Sequence, residues 1–137
     1  MAQKTHIARK GQDADFAALT YRATVTTKAA SYTVTAEESG TVFVATAADI
    51  VFTLPSTAAG LRYQFVLAAA GLSSGTGLSV SPAAADKIMG NGFTSADNKD
   101  AINTGATDRE GDCIEVVGDG ADGWYIIDVI GTWAREA

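Results

Sequence analysis

Gly123-Trp124-Tyr125-Ile126-Ile127-Asp128-Val129-Ile130-Gly131-Thr132-Trp133 reads as one long, mostly apolar strand with a glycine near each end. β-Branched and aromatic side chains fill it, and these suit a pleated, half-buried backbone. Such a strand is costly to leave in water, so it is expected to be buried by the rest of the chain or by another copy. Just ahead of it, Cys113-Ile114-Glu115-Val116-Val117 is a second β run. The Gly/Asp-rich connector Gly118 to Gly123 between the two is a hairpin signal. An all-β protein built for association is the first expectation.

The pattern extends backwards through the chain. Leu61, Tyr63, Phe65 and Leu67 alternate with Arg62, Gln64 and Val66. A period of two puts the first set on one face, expected to be core, whereas a helix would scatter Tyr63 and Leu67. Thr41 to Thr46 places Phe43 and Ala45 opposite Val42, Val44 and Thr46. Ile50, Phe52 and Leu54 alternate with Val51 and Thr53, and Pro55 stops that run. Tyr21 to Thr26, Ser31 to Thr35 and Leu78 to Ser81 are further strands, with Glu37 to Gly40 and Ala47 to Asp49 as turns. Asp86 to Asp112 is polar and turn-rich, with brief apolar pieces at Ile88-Met89, Phe93 and Ala101-Ile102. No regular repeat of solenoid length is visible. Short, closely spaced strands with Gly-rich turns predict an antiparallel β-sandwich, jelly-roll-like, or a barrel.

The 137 residues suit one domain. Hydrophobic residues at 47% and charged residues at 19% mark a globular chain. Residues 1–20 stand apart. Lys4, Arg9 and Lys10 give the first ten residues a charge of +3, against −6 for the whole chain, and the large apolar residues are few: Ile7, Phe16 and Leu19. This segment is expected to be an extended N-terminal arm on a β domain spanning 21–137, ordered by a partner or frayed. Extended, twenty residues reach about 65 Å, enough to cross a neighbouring subunit.

The acidic balance argues against a broad nucleic-acid-binding face, since phosphate contacts need Lys and Arg. No apolar run approaches the roughly 20 residues of a membrane span, so no membrane partner is expected. The first ten residues lack the apolar core of a signal peptide, and the cytoplasm of the cell that makes the chain is the simplest expected compartment. Cys113 is the one cysteine, so an intrachain disulfide is excluded.

Equipment for chemistry is sparse. His6 is the single histidine and lies in the arm, poorly placed to be held against a nucleophile. Cys113 opens a strand and reads as a small core hydrophobe. Two Cys and His residues in all cannot build a tetrahedral zinc site. Gly71 to Gly77 is Gly/Ser-rich but lacks the Gly-Lys-Ser/Thr of a phosphate loop. Asp108, Glu110 and Asp112 are spaced like the first ligands of a calcium loop, but the sixth position is Cys113 and the twelfth Asp119, where the loop needs Gly and Glu. A paired-carboxylate glycosidase would want an aromatic-lined cleft, and aromatics are 8%. Neither enzyme activity nor a cofactor is expected. Trp124 and Trp133, nine positions apart in one continuous strand, fall on opposite faces. One is expected in the core and the other at a contact, and both are candidates for an oligomer interface.

Three stretches carry a resemblance: Tyr32-Thr33-Val34-Thr35-Ala36-Glu37-Glu38-Ser39-Gly40-Thr41-Val42-Phe43; then Phe52-Thr53-Leu54-Pro55 followed by Gly60-Leu61-Arg62-Tyr63-Gln64-Phe65; and the closing Gly-Trp-Tyr-Ile-Ile that ends in Gly131-Thr132-Trp133. In that order, over about residues 30–133, the chain resembles the head decoration, or cement, proteins of tailed bacteriophages. It is also similar to β modules of phage tail fibres. The first resemblance implies a homotrimer on the outer capsid surface of the virion, bound to the major capsid protein and stabilising the shell. The N-terminal segment would help it attach, with Lys4, His6, Ile7, Arg9, Lys10 and Phe16 as candidate capsid-binding residues. The second implies a fibre or spike module that binds host-surface glycan.

Overall fold

A computed structural model describes residues 22–68 and 76–137. Residues 1–21, and with them every candidate residue of the arm, lie outside the described residues. Eleven strands and two short 3-10 turns form the described part: β1 Thr24–Lys28, β2 Tyr32–Thr33, β3 Thr41–Ala45, β4 Ile50–Thr53, β5 Arg62–Leu67, β6 Thr76–Ser81, β7 Lys87–Met89, β8 Ala101–Thr104, β9 Cys113–Gly118, β10 Gly123–Ile130 and β11 Trp133–Arg135. They make two sheets packed face to face, in the orders β1-β3-β5-β9-β10-β7 and β11-β8-β6-β4-β2. The all-β sandwich expected from the alternation is present.

Its strands are not uniformly antiparallel, and here the expectation is corrected. From β1 to β6 the chain changes sheet at every strand. As a result β1, β3 and β5 lie side by side in parallel, and so do β2, β4 and β6. Parallel neighbours need a long crossover, usually a helix. Here each crossover runs through a strand of the opposite sheet, so the first half of the chain coils around the core. The steps of the coil are unequal: Thr24 pairs with Thr41 but Val42 with Gln64, and Tyr32 with Phe52 but Ile50 with Leu78. That inequality is why no fixed repeat is visible in the sequence. The second half is largely antiparallel, with β9 joining β5 to β10 and β8 joining β6 to β11.

Alternation places the core as expected. Tyr63, Phe65 and Leu67 are buried, as are Phe43 and Ala45 of β3 and Ile50 and Phe52 of β4. Phe43 and Phe65 from the first sheet meet Phe52 from the second, with centroid separations of 5.6 Å and 4.8 Å. Tyr63 packs on Trp124 at 5.6 Å, and its hydroxyl donates to the Thr35 carbonyl at 2.9 Å. Each such aromatic pair contributes about 0.5–1.5 kcal/mol beyond the area it buries.

The predicted hairpin is β9–β10. Asp119 Oδ1 accepts from the backbone N–H groups of Ala121, Asp122 and Gly123 at 2.8, 3.0 and 2.9 Å, which closes the connector. The single long final strand is not observed. β10 carries a bulge between Ile126 and Asp128, ends at Ile130, and the chain crosses at Gly131 to start β11 in the other sheet. Gly131 has φ +96°, a conformation that only glycine adopts freely.

Candidate functional site

The break at Gly131 decides where the two tryptophans go. Parity along one strand would have put them on opposite faces. Instead Trp124 enters the core from the first sheet and Trp133 from the second, leaving 0% and 7% of each exposed. Trp133 Nε1 donates to the Ile130 carbonyl at 2.9 Å. Both rings therefore pack inside the protomer, and the surface of this region is made by other residues: Tyr125, Ile127 and Ile130 are each about half exposed.

Two of these belong to a larger apolar face. Cross-strand register lines up Thr27, Val44, Val66, Cys113 and Ile130 across β1, β3, β5, β9 and β10. The neighbouring row is Val25, Val42, Gln64, Glu115 and Asp128, and the next holds Arg62, Val117, Tyr125 and Met89. All three rows are on the outside of the first sheet, the face turned away from the core. The solvent face of a sandwich sheet normally alternates to polar residues. Here five valines, a cysteine and an isoleucine stand on it, and Val25 is 61% exposed. Its polar content is concentrated in the middle row and in the ion pair between Arg62 Nε and Glu115 Oε1. That pair is largely solvated on the arginine side and contributes little stability by itself.

The sequence held a signal for this face. β3 is apolar on both parities, Val42 and Val44 as well as Phe43 and Ala45. A strand of that kind suits cover on both sides. The sheet margins add to it. β7 pairs only with Gly123 to Tyr125, so β10 from Ile126 onward has no strand on its outer side among the described residues. β1, the strand that follows the arm, forms the opposite margin. Unpaired margins of this kind accept strands from other chains.

A second feature lies at the end of the sandwich where β10 crosses to β11. A cleft of about 470 Å³ is lined by Arg109, Glu110, Asp112, Ile130, Gly131 and their neighbours. Arg109 to Asp112 is a turn closed by Asp112 N donating to the Arg109 carbonyl at 3.0 Å, with Gly111 at φ +94°. Asp112 Oδ2 accepts from Arg109 N at 3.0 Å and from Asn103 Nδ2 at 3.1 Å. The three carboxylates spaced like a calcium loop do not converge. Asp108 and Asp112 are buried while Glu110 is exposed, and among the described residues no three Cys, His, Asp or Glu form a metal-holding group. Cys113 is also buried, and burial pushes its thiol up, which keeps it protonated and a poor nucleophile at neutral pH. Asn103, fully buried, is a polar core residue that period-two reading passes over as an ordinary strand position.

Compared with protein-family models, with curated proteins and with solved structures, the chain matches none.

Proposed function

We propose that this chain is a structural protein of a bacteriophage virion, a decoration protein that associates as a homotrimer and binds the outer surface of the capsid. The observation that carries this reading is the apolar outer face of the first sheet. Outward rows of Val44, Val66 and Ile130, and of Val117, Tyr125 and Met89, are what an interface core looks like before its partner arrives. Five strands and three rows span roughly 20 Å in each direction, on the order of 400 Å². A standard stable interface buries about 800 Å² per partner. The face alone is therefore half of what a lasting contact needs, and a second element has to contribute. The N-terminal segment is suited to that: it leads into β1 at the margin of the same sheet, and its Lys4, Arg9 and Lys10 complement the acidic remainder of the chain. Attachment to the major capsid protein and the threefold state come from the resemblance to head decoration proteins.

A fibre module that binds glycan would draw on the resemblance to tail-fibre modules and on Trp124, Trp133 and the four tyrosines as stacking groups. With both rings in the core, it keeps only Tyr125 as an exposed aromatic of this region.

Light scattering on the purified protein, followed by sedimentation with undecorated heads of the corresponding phage, tests the proposal. A trimer that co-sediments supports it. Deleting residues 2–20 is expected to leave the β domain folded and weaken head binding. A stable monomer that stays in the supernatant would overturn it.

A further inference from the structure

We infer that Asn103 and Asp108 form a site for a hard, oxygen-preferring cation of the calcium class at the cleft end of the sandwich, next to the buried carboxylate of Asp112. The inference is independent of the virion reading and rests on the buried polar groups alone.

Asn103 has its amide orientation set by its neighbours. Nδ2 faces two acceptors, Asp112 Oδ2 at 3.1 Å and the Thr132 carbonyl at 3.4 Å. Oδ1 must then point the other way, and it lies against Gly77 with no hydrogen-bond partner among the described residues. A Cβ on Gly77 would collide with that oxygen, and it would also stand 3.3 Å from Asp108 Cβ. Gly77 is thus the common neighbour of Asn103 and Asp108. Its Cα–H is at most a weak donor. Asp108 Oδ2 is the second buried oxygen with no partner among the described residues.

Two acceptor oxygens without donors thus belong to side chains that are at least nine-tenths buried and that meet at Gly77, near a second buried carboxylate, Asp112. The ion pairs among the described residues are Arg62–Glu115 and Lys87–Asp97, and neither reaches this cluster. Leaving such oxygens unsatisfied costs about 1–3 kcal/mol for each group, and more where the group is charged. A cation relieves both costs together. The donors are carboxylate and amide oxygens, which suit Ca²⁺ rather than a soft metal. The β6–β8 ladder shifts register between Thr76 and Ser79, opposite Asn103, so Gly77 and Leu78 have no paired residue on β8 beside the site. The cleft lined by Thr107, Arg109 and Asp112 opens to solvent next to Asp108 in sequence.

The probes are CaCl2 for thermal unfolding and TbCl3 for luminescence. Trp133 pairs with Asn103 across β11 and β8, so its indole is placed to sensitise Tb³⁺ bound here. At a hundredfold excess over Kd, Ca²⁺ is expected to raise Tm by roughly 8 °C. Asp108→Asn should abolish both the shift and the sensitised emission, and melt higher than the wild type in chelator. Asn103→Asp should move the opposite way, melting lower in chelator and gaining a larger shift from Ca²⁺. Glu110→Gln and Asp128→Asn, both at exposed positions, should respond like the wild type. A wild-type Tm unmoved by millimolar Ca²⁺ overturns the inference. So does an undiminished shift in Asp108→Asn, or a shift lost in Glu110→Gln, which would place binding on the surface.

Discussion

The Cα of Gly131 packs directly on the carboxylate of Asp112, so that any Cβ at Gly131 would overlap that group. One residue thus carries the chain from the first sheet to the second and seats the buried acid that anchors Asn103. Gly131→Ala combines a left-handed backbone with this collision. It is expected to lose roughly 2–4 kcal/mol of stability, measured by urea unfolding. A change under about 0.5 kcal/mol would mean that the crossing can rearrange.

Trp133 belongs to the protomer's own core, and its replacement acts on folding before it acts on assembly. Trp133→Ala should cost about 3–5 kcal/mol, as large-to-small core changes do. Unfolding curves at several protein concentrations separate the two effects. The loss should be independent of concentration, and a loss that vanishes on dilution would place the ring at a contact between copies.

Val25 and Ile130 lie at opposite sides of the apolar outer face, on β1 and β10, and both are more than half exposed. Lysine at both positions should leave the fold intact, because neither side chain touches the core. Circular dichroism is expected to be unchanged while light scattering reports a smaller particle. Self-association that survives the double change would locate the interface elsewhere.

Asp119 carries a pH dependence. Backbone N–H groups of Gly123 and Ala121, and then of Asp122, hold its carboxylate below the usual range, against some loss of hydration. A carboxyl with a depressed folded pKa contributes stability that is present above the unfolded value near 4 and is lost as pH falls through the folded one. Asp119→Ala should therefore be less stable than wild type at pH 6, with the gap closing below about pH 4. A gap that stays constant from pH 6 to pH 3 would show that the charge adds nothing to the connector.

Much of the core was legible from alternation. Tyr63, Phe65 and Leu67 are inside because a strand sends alternate side chains to opposite faces, and that depends on local geometry alone. The Gly/Asp connector announced the β9–β10 hairpin for a similarly local reason, since Asp119 bonds backbone groups two to four residues ahead. The cleft cluster was half legible. Asp108 and Asp112 stood out by spacing, but Asn103 and Gly77 join them from other strands and had no mark of their own.

By itself the sequence determined the β class, the inward faces of most strands and the β9–β10 turn, because these follow from side-chain period and from local hydrogen bonding. Tertiary structure alone decided that β1, β3 and β5 run parallel, that Trp133 crosses to the second sheet, and that Asn103 meets Asp108 over Gly77. Backbone donors and acceptors are the same on every strand. Alternation therefore says which face is buried, while the partner across the ladder is chosen only when the whole chain closes around one core.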